Sequence, residues 1–258
     1  MKPQLAISTR FSRDQYVVAV KEAVSHGFSG IDWNFDPMRI AVASNARKKF
    51  YDCALSSGLP SRFHAPCHDT ELGHKDPLIS STAVQYLKMY IYLIKDFPKT
   101  SITLHIGSRG IPMEELSWDN AVKGLREVVK FGEDNGVAVC LENLKHGWTN
   151  NPETFAELVQ ASGSMVTFDI GHARASPYVS GGDYTLEEFM EPVGARVRNL
   201  HVYEIESKQG EHIEPADLDS IRPALDWALS KGITWWVLEL YSIDSMVRCK
   251  NLIESHFC

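Results

Sequence analysis

The residues of this chain best suited to chemistry are carboxylates and histidines that close short β-rich runs. His105, Glu142, Asp169, His201 and Glu239 each end such a run, one after another along the chain. Taken singly, each has an ordinary explanation: a buried imidazole can simply be hydrogen-bonded, and a strand-end carboxylate can cap the next helix. Taken jointly they do not. Several carboxylates converging on one point repel each other and resist desolvation unless a cation neutralises them or protons are taken up. Oxygen and imidazole donors without a thiolate cluster suit Mn²⁺, Zn²⁺, Co²⁺ or Fe²⁺. His172, in Phe168-Asp169-Ile170-Gly171-His172, lies just past one of these run ends and is expected over the same site. Glu204, Glu206 and Glu211 read as a solvated acidic loop.

Such a convergence requires strands whose ends share one rim. The strand candidates are Leu5 to Ser8, Gly30 to Asn34, Ser61 to His64, Ser101 to His105, Val137 to Glu142, Met165 to Asp169, Val197 to His201 and Trp235 to Glu239. Between them lie stretches with apolar residues at three- and four-residue spacing, such as Ala83 to Ile94, Trp118 to Phe131 and Ile221 to Leu229. Alternating strands and helices predict an α/β fold with a parallel sheet, and about 32 residues per unit fits a (β/α)₈ TIM barrel. No Pro-, Gly- or Ser-rich linker interrupts the pattern, so residues 1–258 are expected to form one barrel domain. Parity supports this. Ser101, Thr103 and His105 share one face of their strand and Ile102 and Leu104 the other, while Ala138, Cys140 and Glu142 oppose Val139 and Leu141. Thr167 and Asp169 likewise oppose Val166 and Phe168, so the small or polar parity should line the barrel and end in the reactive group. Barrel enzymes carry their sites at this end of the strands.

Composition narrows the function classes. A hydrophobic share of 44% and a charged share of 23% describe an ordinary globular protein. The net charge of -7 argues against nonspecific nucleic-acid binding, which depends on Lys and Arg neutralising phosphates. No apolar run approaches the ~20 residues of a membrane span, and Met1 to Ser8 lacks the layout of a secretory signal. Five cysteines, odd in number and without a C-x-x-C pair, fit a reducing cytoplasm. Neither a P-loop nor a Rossmann glycine loop is present, so no nucleotide cofactor is implied; Gly181-Gly182 reads as a turn.

Four segments, Leu141-Glu142-Asn143, Phe168-Asp169-Ile170-Gly171-His172, Asn199-Leu200-His201-Val202 and Leu238-Glu239-Leu240, resemble in order the motifs of the xylose isomerase-like and endonuclease IV-like superfamily, as does His64-Ala65-Pro66. The likeness to its sugar epimerases and isomerases implies one metal site of Glu142, Asp169, His201 and Glu239, with both glutamates as acid/base groups and His172 on the substrate. Leu72-Gly73-His74 and Leu104-His105-Ile106-Gly107-Ser108 look like two further histidine motifs of endonuclease IV, which would make His74 and His105 ligands of a second metal beside the bridging glutamate. A third metal there uses the counterpart of His172 and an Asp-x-His. Here Gln209-Gly210-Glu211-His212-Ile213 keeps His212 but has Gly210 in the place of the Asp. The Arg that epimerases often carry after the seventh strand is also missing, with only Lys208 near.

Two activities follow as expectations. The first is a divalent-metal-dependent isomerase or epimerase of a small sugar, sugar phosphate or hydroxy-ketone, working through an enediolate. The alternative is an endonuclease IV-like phosphodiesterase at abasic sites in DNA, for which Arg109 and Arg174 would supply basic contacts. The missing Asp and the acidic balance put the isomerase ahead, with a carbohydrate as partner and nucleic acid only under the alternative. A barrel that binds sugar or metal without turnover is a third reading, and a homo-oligomer is left open. Trp33, Trp148 and Tyr203 could wall a sugar site or fill the barrel mouth.

Overall fold

In the computed structural model, which describes residues 2–11, 16–35, 44–67, 70–107 and 111–257, eight parallel strands close into a barrel. The strands are β1 (Gln4–Ser8), β2 (Gly30–Asn34), β3 (Ser61–His64), β4 (Ser101–Leu104), β5 (Ala138–Glu142), β6 (Met165–Asp169), β7 (Val197–Val202) and, after a small antiparallel pair β8 (Ile205–Glu206) and β9 (His212–Ile213), β10 (Trp235–Leu238). The ring runs β1-β10-β7-β6-β5-β4-β3-β2, so the chain's first and last barrel strands pair directly, Ile7 opposite Leu238. Helices between them are α1 (Tyr16–Ser25), α2 (Ser44–Ser56), α3 (Pro77–Ile94), α4 (Trp118–Asp134), α5 (Pro152–Ser162), α6 (Ile170–Ala175), α7 (Pro177–Ser180), α8 (Leu186–Met190), α9 (Arg222–Ser230) and α10 (Ile243–Phe257). The predicted strands all form, with edges shifted by a residue: β4 stops at Leu104 and β10 at Leu238, leaving His105 and Glu239 one position beyond their strands.

Period-two alternation sorts the side chains as the sequence demands. Ile31, Phe63, Ile102, Leu104, Val139, Leu141, Val166, Phe168 and Leu200 join the main core under the helices. The opposite parity lines the barrel and is hydrogen-bonded across it: Thr103 and Thr167 share a bond of 2.7 Å, Asn199 Nδ2 donates to Thr167 Oγ1 at 2.7 Å, and Arg62 Nη1 donates to Asn199 Oδ1 at 2.9 Å. A polar interior is tolerable because these groups find partners. Trp33 belongs to the outer layer, not to a substrate wall. Its indole is fully buried 5.1 Å from Phe50 of α2 and donates to Ser61 Oγ.

Local signals fix the helix starts that carry the site. Asn151 caps α5 by accepting from the amides of Glu153 and Thr154, with Pro152 in the first turn, where a missing N–H costs nothing. The side chain of Asp169, the last residue of β6, caps α6 by accepting from His172 N at 2.6 Å. The strand-to-helix turn is tight. A Cβ on Gly171 would lie 2.0 Å from Tyr203 Cε2, so only glycine lets α6 sit against β7. Gly182 ends α7 in the left-handed region at φ 83°, the turn expected there.

Candidate metal centre

Glu142, Asp169, His201 and Glu239 arrive from four adjacent members of the ring, β5, β6, β7 and β10. One donor atom from each lies within 4.8 Å of the others. His201 Nδ1 is central, 3.3 Å from Glu142 Oε1, 3.6 Å from Asp169 Oδ2 and 3.2 Å from Glu239 Oε2. All four side chains are buried. Asp169 Oδ2 and Glu239 Oε2 are buried without a hydrogen-bond donor, an arrangement that costs about 1–3 kcal/mol per orphaned group. A divalent cation would satisfy both, so the donor set fits a metal. The outer supports are in place as well. Asn143 brackets Asp169, its Nδ2 donating to Asp169 O and its Oδ1 accepting from Asp169 N, each at 2.8 Å.

A second group shares Glu142. His64 Nε2 and His105 Nε2 lie 3.2 Å and 2.9 Å from Glu142 Oε2, while Oε1 of the same carboxylate faces His201. His64 Nδ1 lies 2.8 Å from the carbonyl oxygen of Ala65, which only accepts, so that nitrogen carries a hydrogen. Nε2 then meets Glu142 either as a protonated donor or, beside a cation, as a bare ligand atom. A third group joins His172, Glu206 and His212, with His172 Nε2 3.5 Å from Glu206 Oε2.

Charge inside the centre is strongly coupled. Burial alone would raise the carboxylates, but His201 and His105 hold Glu142 well below the usual range, and His201 with Arg10 does the same for Glu239. Asp169 is pushed up to about 6, chiefly by burial. Burial works against a charged His172, yet Asp169 and Glu142 outweigh it and raise the imidazole to about 9. His212 is driven the other way, down to about 3, by burial.

A family model described as "Xylose isomerase-like TIM barrel" matches residues 20–237. The chain belongs to the xylose isomerase-like TIM-barrel family. It is 32% identical over 194 residues to the uncharacterized protein MJ0008 of Methanocaldococcus jannaschii, covering 75% of this chain and 79% of that one. Among solved structures it is similar to a D-tagatose 3-epimerase-like protein, with a TM-score of 0.79, 18% identity and 98% and 96% of the two chains covered. Endonuclease IV from Thermus thermophilus gives a TM-score of 0.71 at 19% identity over 98% of each chain. A probable 3-DHS dehydratase from Bacillus anthracis gives 0.71 at 13% identity, again over 98% of each. At such identities these structures speak for the fold alone.

Against this xylose isomerase-like frame, the structure brings together Glu142, Asp169, His201, Glu239, His105, His172 and His212, and it leaves out His74. His74 bridges to Leu116; its Nδ1 accepts from Asp76 N at 2.9 Å and its Nε2 lies 3.5 Å from Glu115, outside all three groups. His64 stands where His74 was expected, and its signal was present in His64-Ala65-Pro66 at the end of the third strand. Glu206, expected in a solvated loop, is tucked against Lys145 at 3.0 Å with its side chain 12% exposed. Arg10, not singled out by sequence, donates to Glu239 Oε1 at 3.2 Å. Arg174 is committed to Glu204 rather than to an open groove, and Arg109 lies outside the described residues. Tyr203 is fully buried and stacks on His212 at 3.8 Å, and Trp148 packs edge-on to Trp118 at 5.3 Å. Among the described residues Cys53, Cys140 and Cys249 are free thiols, and no cysteine joins a ligand group. Among the described residues no helix is long and apolar enough to cross a membrane.

Proposed function

We propose that this chain is a divalent-metal-dependent isomerase or epimerase acting on a small sugar, sugar phosphate or hydroxy-ketone. The observation that carries the reading is the four-donor set with Glu142 and Glu239 at the two ends of its arc. A cation held by Glu142, Asp169, His201 and Glu239 supplies Lewis-acid polarisation of a carbonyl and its neighbouring hydroxyl. The chain's own residues move the proton. One glutamate takes it from the carbon beside the carbonyl and the other returns one to the opposite face, through an enediolate. Both must be ionised near neutral pH, and His201, His105 and Arg10 keep them so against the effect of burial. His172, held by Asp169 and Asn143, orients a substrate oxygen. The fold shared with proteins named as sugar epimerases agrees with this reading.

A second reading, an endonuclease IV-like phosphodiesterase at abasic sites, gains from one observation: His64 and His105 join Glu142 in a group that shares its carboxylate with the first, as a two-metal centre needs. The net charge of -7 weighs against it. Metal-loaded protein incubated in D₂O with a panel of ketoses is expected to exchange the proton next to the carbonyl, followed by NMR. Glu239→Gln should slow that exchange by ~100-fold or more. Cleavage of abasic-site DNA without exchange on any ketose would replace the isomerase by the phosphodiesterase.

A further inference from the structure

Of the three groups able to hold a metal, one has two of its three residues engaged by cations of the chain itself. His212 Nδ1 lies 2.6 Å from the carbonyl oxygen of Glu239. That oxygen only accepts, so Nδ1 carries the hydrogen and the lone pair of the ring is on Nε2. Arg10 Nη1 sits 3.0 Å from this Nε2 and donates to it, while also reaching Glu239 Oε1 at 3.2 Å. The ring cannot turn away, because it is buried and stacked on Tyr203 with an interplanar angle of 7°. Both nitrogens of His212 are therefore spoken for.

Glu206 is held in the same manner. Its Oε2, the oxygen that faces His172 Nε2 at 3.5 Å, lies 3.0 Å from Lys145 Nζ. The ammonium is anchored by a further bond of 2.7 Å to the carbonyl of Ser207. A guanidinium and an ammonium together bring the two positive charges of a divalent ion, already fixed at two of the three residues such an ion would need. An entering metal would have to expel both and then sit beside them.

We propose that Arg10 and Lys145 take the place of a metal ion at His172, Glu206 and His212. This group is closed to metal, and metal binding is confined to the groups built around Glu142. The inference rests on the reading that the Glu142 groups hold metal, and the test separates the two. Metal-free protein is saturated with Zn²⁺, freed of excess, and its metal counted by elemental analysis. His212→Ala and Glu206→Gln in the wild-type chain are expected to leave the count unchanged. The double variant Arg10→Met, Lys145→Met is expected to hold one equivalent that His212→Ala removes in that background. A wild-type chain that loses an equivalent on His212→Ala overturns the proposal, as does a double variant, folded by near-ultraviolet circular dichroism, in which no equivalent depends on His212. If the double variant does not fold, the single substitutions in the wild-type chain still decide. A wild type that binds no Zn²⁺ at all overturns the metal-centre reading, and a count that falls only with His212→Ala overturns this proposal alone.

Discussion

His64 and His74 differ in what their second nitrogen touches, and that decides which can serve a metal. His64 gives Nδ1 to a backbone carbonyl and aims Nε2 at Glu142, whereas His74 spends Nδ1 on the amide of Asp76. His64→Ala is therefore expected to weaken metal binding by ~10–100-fold or to lose one equivalent, in the range known for groups around a metal, while His74→Ala leaves the metal count unchanged. The reverse result, by elemental analysis of the two variants, would remove His64 from the centre. His172 makes a second prediction. Its imidazole is raised from 6.5 to about 9 in the folded metal-free protein. A raised pKa means that the folded state holds the proton more tightly, so the stabilisation is complete below 6.5 and is lost as pH rises through about 9. Urea unfolding of chelated wild type against His172→Gln should show a stability gap that narrows across that window. A gap that stays constant would show that His172 carries no such proton.

The elements that hold these residues are the strand ends and the turns after them. The turn from β6 into α6 does most: Asp169 caps the helix through one oxygen and presents the other to the centre, and His172 emerges one turn later. Its tightness depends on Gly171, whose missing side chain makes room for Tyr203. Gly171→Ala should destabilise the fold by ~1–3 kcal/mol, the usual effect of overpacking, and weaken metal binding by displacing Asp169. Urea midpoints together with a Zn²⁺ titration test this, and an unchanged titration would detach the turn from the centre. Strand parity was legible in the sequence because the side-chain period is fixed by the backbone, so Thr167 and Asp169, or Cys140 and Glu142, fall on the barrel side. Glu206 was not legible. It looks solvated along the chain, and only the β8–β9 pair and Lys145 fold it against the mouth.

At the scale of the molecule, the ring gathers three carboxylates and one imidazole at a buried point, a concentration of charge that resists desolvation. Chelation should lower the melting temperature. A ligand held at 100 times its dissociation constant adds about 2.7 kcal/mol to stability, enough to shift a melting curve visibly. Differential scanning calorimetry with and without chelator measures it, and identical curves would mean that the carboxylates are neutralised by protons instead. Barrel closure also explains Arg10. It follows β1 and Glu239 follows β10, 229 residues apart in sequence, and they meet only because these two strands pair.

The sequence by itself determined the eight-unit barrel, the parity of its strands and the placing of five carboxylates and imidazoles at strand ends, because these depend on periods of two and of three to four residues that local chemistry sets. Tertiary structure alone decided which histidine joins Glu142 and which carboxylate joins His172. It also decided that Arg10 and Lys145 lie on the donor atoms of the third group. Those choices depend on loops that cross the barrel mouth and on contacts between distant segments, where no period relates the residues and only the closed ring fixes the distance between them.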